Sequence, residues 1–260
     1  MTYKTILVDE QPPVCTITLH RPERRNAMTS EMQSELIEAL TAAAAAHRVL
    51  ILTGSGSAFC SGLDLSVLQT MHERTAADHR ADAERIARLF RTLYELPLPT
   101  IAVVHGPAIA GGTGLATICD FTIATPAAKF GYTEARIGFV PALVSAYLAL
   151  QIGDKRARDL LLTARLFDAH EAHRLGLINE VAAAAELDER LNSLVKILQA
   201  NSSQSLAATK RLMAAQNRAW LDAAVVLAME ANAQARGTAD FRKGLAAFLE
   251  KRKPIWQPTQ

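Results

Sequence analysis

Short hydrophobic runs separated by polar turns dominate the first part of the chain. The apolar, β-branched runs at 49–52 and 100–104 have the length and composition of buried strands. Residues 3–20 alternate between hydrophobic and polar positions, which predicts a β-hairpin with its turn at 10–13. A further short strand is predicted around Phe130. The pattern therefore predicts repeated units of strand, strand and helix.

Hydrophobic residues at helical spacing predict a series of helices. The first runs from Ser30 to about Ala46, and Ser30 and Gln33 are spaced to form a capping box. A second runs from about 82 to 96 and is ended by a proline. The polar stretch 72–80 has no apolar face, so we expect it to be mobile, or ordered only when a ligand binds. Three more helices are predicted at 141–151, 154–163 and 168–175.

The last quarter of the chain has a different pattern. From about residue 186 the sequence is alanine-rich and helical in its spacing, with no convincing strand. A chain of 260 residues suits one large domain or a domain with an appendage. We therefore predict an α/β fold with two regions, a core of residues 1–185 that carries the functional site and a helical region of residues 186–260.

Composition and charge narrow the class of protein. The 28 basic residues nearly balance the 26 acidic ones, so neither nucleic acid nor an anionic membrane surface is expected as a partner. The N-terminus has no apolar signal segment, and no run of about 20 residues is free of polar breaks. Three cysteines, Cys15, Cys60 and Cys119, lack the paired spacing of a disulfide framework. A cytoplasmic protein is expected.

Two glycine turns carry the strongest chemical signal. The first spans 59–65 and contains Gly62, and the second spans 106–115 and contains Gly111. Each follows a predicted strand and leads into a segment of helical composition. Glycine lets bare backbone approach a ligand, and the N–H groups at a helix start have no partner within the helix. Two such groups that converge on one oxygen would form an oxyanion hole.

Glu134 is the candidate proton carrier. It follows the predicted strand at Phe130 and a glycine, and it precedes the apolar segment 137–141. An exposed loop acid is the alternative interpretation, but this position argues for a partly buried group. A carboxyl group in an apolar pocket has its pKa raised towards the range in which it exchanges protons at neutral pH.

Other motifs with known chemistry are incomplete. Gly54 and Gly56 follow a strand, but Phe59 occupies the position of the third glycine of a dinucleotide-binding turn. The chain lacks the Gly-Lys-Ser/Thr of a phosphate-binding loop, and the serines near the first turn lack the flanking glycines of a nucleophile elbow. His170 and His173 are three positions apart, whereas a zinc helix needs four. No metal site is predicted.

Several short segments, taken together and in their order along the chain, resemble the crotonase, or enoyl-CoA hydratase/isomerase, superfamily. Each segment is weak evidence alone, but their order and spacing match the family nearly from end to end. The segments are 21–27, 58–65, 99–106, 110–112, 119–120, 128–134, 240–244 and 247–252.

The resemblance implies a fold, an assembly and a substrate. The fold is a spiral of ββα turns that carries the site, followed by C-terminal helices that build homotrimers, often paired into homohexamers. The substrate is an acyl-CoA thioester, so CoA is part of the substrate and no separate cofactor is implied. The resemblance also implies that the amides of Leu63 and Gly111 are the two oxyanion donors.

The resemblance further implies where the CoA moiety binds. In the family, adenine and phosphate contacts come from the loop after the first strands and from the first glycine turn. A basic and an aromatic residue of the C-terminal helices complete the site, often from a neighbouring subunit, and Phe241 and Lys251 are the candidates. Asp64 also fits as the cap of a helix that begins near Ser66. The remaining candidates for CoA binding are Arg24, Arg25, Ser61, Leu63, Asp64 and Gly111.

The chain departs from the familiar two-glutamate hydratases at one position. Those enzymes carry a glutamate three residues after the oxyanion glycine, where this chain has Gly114, so only Glu134 is retained. In this respect the chain resembles the branch that contains methylglutaconyl-CoA hydratase-like proteins. The residues that carry this likeness are Gly112, Gly114, Leu115, 134–138, Pro141, Ala142 and Ser145.

The leading interpretation is hydration of a 2-enoyl-CoA to a 3-hydroxyacyl-CoA, without a metal or redox cofactor. Leu63 and Gly111 would stabilise the enolate, and Glu134 would deliver the proton to C2. A 3-enoyl to 2-enoyl-CoA isomerase is the runner-up, because one base suffices for it. Decarboxylation or C–C cleavage is a further alternative. A catalytically silent CoA-binding or RNA-associated scaffold would not need Glu134.

Overall fold

The computed structural model of the chain describes residues 2–71 and 74–256, apart from the side chain of Leu65. Strands and helices are interspersed along the chain up to α7, and three helices follow the last strand. The strands are β1 (Ile6–Gln11), β2 (Val14–Leu19), β3 (Val49–Gly54), β4 (Thr100–Val104), β5 (Ala108–Ile109), β6 (Phe121–Ala124), β7 (Lys129–Gly131), β8 (Phe167–Asp168) and β9 (Glu180–Val181). The helices are α1 (Ser30–Ala46), α2 (Leu65–Gln69), α3 (Ala76–Glu95), α4 (Gly111–Ile118), α5 (Ala142–Ile152), α6 (Asp154–Thr163), α7 (Ala169–Arg174), α8 (Leu187–Ala200), α9 (Ser203–Ala235) and α10 (Ala239–Leu249).

The main sheet has the strand order β1-β2-β3-β4-β6-β9, with β1 antiparallel to β2 and the other pairs parallel. Both of its faces are covered. Leu50 and Ala102 belong to the large core, whereas Ile51 and Ile101 pack with residues of α8 on the other face. Burial on both faces explains why β3 and β4 are continuous apolar runs rather than alternating ones.

A second, three-stranded sheet has the order β5-β7-β8. Strand β5 pairs with β7 in parallel, through Ala108 with Phe130 and Ile109 with Gly131. Strand β5 leads directly into α4, and β7 leads into a 3-10 helix at Glu134–Ile137. The pairing therefore brings the second glycine turn beside the segment that carries Glu134.

Most of the predicted elements are confirmed, including the hairpin of β1 and β2 and the helix that ends at Ala46. The predicted capping box of α1 is wrong, because Thr29 is the cap and its hydroxyl accepts a hydrogen bond from the amide of Met32. Strands β5, β6, β8 and β9 were not predicted. Three of them, β5, β8 and β9, have two residues each, which is too short for a periodic pattern.

The predicted start of the second helix, at about residue 82, is wrong, whereas the mobility of residues 72–80 stays a prediction; His72 and Glu73 lie outside the described residues. Helix α3 begins at Ala76, six residues earlier than predicted, and Thr75 and Asp78 form a capping box. His79 is buried on this first part of the helix. The buried face of α3 includes polar side chains, so the hydrophobic pattern could not reveal it.

The C-terminal helices pack against the core rather than apart from it. Helix α9 packs on α3 and α5, and α10 contacts the 3-10 helix that begins at Glu134. The division of the chain at residue 185 stays a prediction. Within the described ranges, 2–71 and 74–256, no helix combines the length and apolar character needed to cross a bilayer. The three cysteines are buried and unbridged.

Candidate active site

The first glycine turn connects β3 to α2 and presents an unused amide at Leu63. Met28 forms an isolated parallel bridge with Leu63. In this bridge the Met28 amide donates to the Gly62 carbonyl at 2.7 Å, and the Asp64 amide donates to the Met28 carbonyl at 3.0 Å. The peptide groups that pair with Met28 therefore flank Leu63, whose own N–H points to the opposite side. Among the described residues, the Leu63 amide donates no hydrogen bond.

The second glycine turn connects β5 to α4 and presents the first amide of that helix. Ala110 precedes Gly111 with φ 53° and ψ −123°, a conformation that residues with a side chain rarely adopt. The Ala110 amide donates to the Gly131 carbonyl at 2.7 Å, which holds the turn against β7. Gly111 is the first residue of α4, where N–H groups lack intrahelical partners, and its amide donates to no acceptor within the described part of the chain.

The two turns lie in direct backbone contact. The Ile109 amide donates to the Cys60 carbonyl at 2.8 Å. A Cβ atom at Gly112 would lie 2.3 Å from the Cys60 carbonyl oxygen, and one at Gly62 would lie 3.1 Å from the Cβ of Ala110. Glycine is therefore required at 112 for the close approach, and Gly62 also has a φ of 87°. The contact places Leu63 and Gly111 on the wall of one cavity.

Glu134 lines the same cavity as the two amides. It begins the 3-10 helix after β7, and its carbonyl accepts a hydrogen bond from the Phe139 amide at 3.0 Å. Its Oε2 atom is buried and has no hydrogen-bond partner among the described residues. Burial raises the pKa of this carboxyl from 4.5 to about 7. The group can therefore be either protonated or ionised near neutral pH.

The cavity has a volume of about 400 Å³, in the range of small-molecule sites. Basic residues line it in the loop after β2, and apolar residues of α3 and α5 line it elsewhere. The lining includes Arg24, Arg25, Met28, Ser61, Leu63, Asp64, Ile86, Phe90, Gly111, Thr133, Glu134, Leu143, Val144, Asn232 and Phe248. One cavity thus combines cationic side chains, two unused amides, one protonatable acid and an apolar wall.

The space beside Gly114 is occupied by apolar side chains. A Cβ atom at this position would lie 2.7 Å from Val144 Cγ1 and 3.0 Å from Phe90 Cζ. A side chain at 114 would therefore require Val144 to shift and would crowd Phe90. As the sequence indicated, no carboxyl group stands at position 114, and apolar side chains occupy the space beside it.

The loop 21–27 is held rigidly at the mouth of the cavity. Asn26 is fully buried at φ 54°, and its amide group donates to the carbonyls of Ser55 and Ala58, both at 2.8 Å. The predicted CoA-binding residues Arg24 and Arg25 precede it and line the cavity. Their positions fit the prediction, and their role stays a prediction.

Asp64 acts as a structural residue of the first turn. Its carboxylate caps α2 by accepting from the Ser66 amide at 2.8 Å, which confirms the predicted cap. It also forms an ion pair at 2.7 Å with Arg21, which sequence reasoning did not identify as a site residue. Burial alone would raise the pKa of Asp64, but hydrogen bonds from Ser66 and Arg21 lower it below its usual value. With both oxygens engaged, Asp64 orients the backbone around Leu63.

Thr113 is a second positioning residue that the sequence did not reveal. It is fully buried in α4. Its hydroxyl lies 2.6 Å from the Ala108 carbonyl and 3.1 Å from the Gly131 carbonyl, and it accepts from the Gly131 amide at 3.2 Å. Thr113 therefore links the second turn to the strand that leads to Glu134. The link joins residues 18 positions apart, beyond the reach of a local motif.

The prediction for Phe241 is contradicted by its burial. Phe241 is 2% exposed and packs on Phe139, with ring centroids 5.0 Å apart, so its face cannot stack on an adenine. Phe248, two turns later in α10, lines the cavity instead and is half-exposed. Lys251 lies in the exposed turn after α10 and outside the cavity lining, so its role stays a prediction.

Comparison with known proteins gives a consistent result. The family described as enoyl-CoA hydratase/isomerase matches residues 9–259. A putative enoyl-CoA hydratase of Thermus thermophilus is 42% identical over 247 residues, which cover 94% of this chain and 98% of that protein. The 1,2-epoxyphenylacetyl-CoA isomerase of Escherichia coli is 33% identical over 253 residues, which cover 96% and 97%.

A solved structure supports the same grouping. The crystal structure of an enoyl-CoA hydratase from Mycobacterium avium superposes with a TM-score of 0.86 at 34% identity, and covers 98% of this chain and all of the other. The crotonase-type α/β fold predicted from the sequence is therefore confirmed.

Proposed function

The chain belongs to the enoyl-CoA hydratase/isomerase family, and we propose that it hydrates a 2-enoyl-CoA thioester to a 3-hydroxyacyl-CoA. One observation carries this proposal. The unused amides of Leu63 and Gly111 line one cavity with the carboxyl group of Glu134, whose Oε2 atom has no partner among the described residues. Amides of this kind can hold the negative charge that develops on a thioester oxygen, and the carboxyl can exchange the proton that the reaction requires.

The proposed reaction begins with the thioester oxygen between the two amides. When water adds to C3, electron density moves onto this oxygen and forms an enolate. Each amide hydrogen bond would lower the barrier by about 3 kcal/mol. The charge is held by the backbone, so the proposed step uses no metal or redox cofactor. CoA enters as part of the substrate.

Glu134 completes the proposed reaction as a single acid and base. The protonated carboxyl gives its proton to C2, and the carboxylate so formed takes a proton from the water that attacks C3. Atoms balance, because the acid is regenerated and one water is added across the double bond. Its pKa of about 7 makes both forms accessible at neutral pH. The proposed reaction needs no second carboxyl group, which is consistent with the apolar side chains around Gly114.

The CoA moiety is proposed to bind at the mouth of the cavity. Arg24 and Arg25 place cationic groups where phosphates would lie, and Ser61 adds a hydroxyl beside them. Phe248 offers an exposed aromatic face in the same lining. Lys251 stays a candidate for a phosphate contact. The likeness to methylglutaconyl-CoA hydratase-like proteins also stays a prediction.

Association into a homotrimer or homohexamer is proposed for the helical region. Leu212, Met213, Trp220 and Leu227 are each about half-exposed or more along α9. Met213, Trp220 and Leu227 recur every seven residues and Leu212 adjoins Met213, which places the four side chains along one side of the helix, where a partner helix could cover them. Light scattering would detect the assembly, and a monomer at micromolar concentration would contradict this proposal.

Isomerisation of a 3-enoyl-CoA to a 2-enoyl-CoA is the second candidate. The observation that favours it is the apolar packing of Phe90 and Val144 around Gly114, since one base suffices to move a proton between C2 and C4. In this reaction Glu134 would start ionised, whereas in hydration it starts protonated.

Crotonyl-CoA provides the direct test of the proposed function. Loss of the enoyl thioester absorbance, with a product one water heavier by mass spectrometry, would support hydration. If the protein leaves crotonyl-CoA unchanged but converts a 3-enoyl-CoA, isomerisation replaces hydration as the proposed function. Glu134→Gln is expected to retain CoA binding and to lose at least about 10²-fold in kcat. Glu84→Gln, the same change at an exposed site on α3, should retain full activity.

A further inference from the structure

Asn232 is a buried polar side chain in the cavity lining, and the proposed reaction does not use it. It lies on α9, is 5% exposed, and lines the cavity. The part of α3 that lines the same cavity contributes the apolar side chains of Ile86 and Phe90. Burial of an amide among apolar groups is costly unless its hydrogen bonds are made. An amide at this position therefore needs an explanation.

Arg236 fixes the orientation of this amide. Its Nη2 atom donates to Asn232 Oδ1 at 3.1 Å. A guanidinium group has only donors, so the oxygen of the amide must face Arg236 and the nitrogen must face away from it. Among the described residues Asn232 Nδ2 donates no hydrogen bond, and it is not fully enclosed by protein. The structure thus holds an N–H₂ donor with access to the cavity.

Within residues 2–71 and 74–256, the charged groups behind Asn232 carry more positive than negative charge. Asp82 accepts from Arg74 at 2.6 Å, from Arg85 at 2.8 Å and from Arg236 at 3.1 Å. Three guanidinium groups thus share one carboxylate. Arg236 is 1% exposed in its side chain, and its Nε atom is buried without a partner in the described structure. The surplus of positive charge behind Asn232 favours an acceptor, and most of all an anionic one, in front of it.

We infer that Asn232 determines substrate specificity, by donating from Nδ2 to an acceptor oxygen on the acyl chain. The substrate class is then an acyl-CoA thioester whose chain carries oxygen beyond the reacting carbons, with a carboxylate bound best. A plain alkyl chain would leave the amide donor without a partner. This inference rests on the proposed function only in taking an acyl-CoA thioester as the ligand.

Binding of unreactive thioesters tests the inference separately from catalysis. Saturated CoA thioesters of four to eight carbons would be titrated into the protein by calorimetry, in sets of equal length that end in a methyl, a hydroxyl or a carboxylate group. At the best length, the carboxylate-ended thioester is expected to bind on the order of tenfold more tightly than the methyl-ended one, with the hydroxyl-ended one between them.

Three variants assign the preference to the amide donor. Asn232→Leu keeps the approximate volume and is expected to abolish the tenfold preference. Asn232→Asp keeps an acceptor for Arg236 but replaces the donor by an anionic acceptor, so it should fold stably and prefer the methyl-ended thioester. Asn217→Leu is the matched control on the same helix, because Asn217 donates to the Tyr94 hydroxyl outside the cavity lining. It should leave the preference unchanged.

Each outcome bears on one proposal. A wild-type protein that binds methyl-ended thioesters as tightly as oxygenated ones at every length overturns the inference, even if it hydrates crotonyl-CoA. An Asn232→Asp variant that folds and keeps the wild-type preference also overturns it, since the only role of Asn232 would then be to accept the hydrogen bond from Arg236. Conversely, a tenfold preference that depends on Asn232 supports the inference even if no hydration is detected, and in that case only the proposed reaction falls.

Discussion

The raised pKa of Glu134 predicts that the proposed active-site acid destabilises the protein at high pH. The pKa is 4.5 in an ordinary environment and about 7 in the folded chain. Below pH 4.5 both states are protonated and there is no penalty. As pH rises, the unfolded state ionises while the folded state stays protonated, so the folded state loses stability until pH passes 7. The full loss is about 3 kcal/mol, at 1.36 kcal/mol per pKa unit.

Glu134→Gln removes this penalty while keeping the shape of the side chain. Relative to wild type, the variant is expected to be more stable by about 1 kcal/mol at pH 5 and by about 3 kcal/mol at pH 8. The assay is urea unfolding at both pH values and at one protein concentration, because self-association would also affect the midpoint. Glu84→Gln, at an exposed position, controls for the loss of a carboxylate as such.

The reasoning would be refuted by a variant whose stability relative to wild type does not change between pH 5 and pH 8. Such a result would mean that Glu134 ionises as easily in the folded chain as in the unfolded one. The carboxyl would then have access to water or to a cation, and its proposed role as a proton donor at neutral pH would lose its physical basis.

Other predictions follow from the same geometry. The kcat/KM of hydration should fall as pH rises through about 7, because Glu134 must start protonated, and a rate that rises instead would indicate the isomerase. Ala110→Gly should stabilise the chain by about 1 kcal/mol in urea unfolding, by relieving a φ of 53°, yet lower kcat because the turn before Gly111 loosens. Gly114→Ala should cost about 1–3 kcal/mol of unfolding free energy, since its Cβ would lie 2.7 Å from a side chain, and an unchanged thermal midpoint would contradict this. Asp64→Asn should lower stability by about 3 kcal/mol at pH 7, through loss of a buried ion pair, and the difference from wild type should shrink as pH falls below 3.8.

The sequence was sufficient to predict those parts of the site that depend on local chain geometry. Glycines that follow an apolar strand, such as Gly62 and Gly111, indicate that the backbone there must make a turn or a close approach that a side chain would hinder. Glu134 could be predicted because its strand, glycine and apolar neighbours are contiguous. In each case the signal lies within about ten residues, which is the range over which sequence patterns carry conformational information.

The parts of the fold and site that could not be predicted from the sequence depend on contacts between segments that are distant along the chain. Arg236 meets Asp82 across 154 positions, and Arg21 meets Asp64 across 43. Phe241 and Phe248 share one helix, and only its packing decides which ring is buried in the core and which lines the cavity. The same holds for Asn232, whose position in a long alanine-rich helix gives no local sign that it reaches the cavity.

The central claim is that the amides of Leu63 and Gly111 hold one thioester oxygen. The most direct measurement is a crystal structure of the chain with an unreactive acyl-CoA thioester bound. The predicted result places the thioester oxygen about 2.7–3.1 Å from both amide nitrogens, with Glu134 facing C2. A bound thioester whose oxygen points into solvent, or contacts only one of the two amides, would contradict the account.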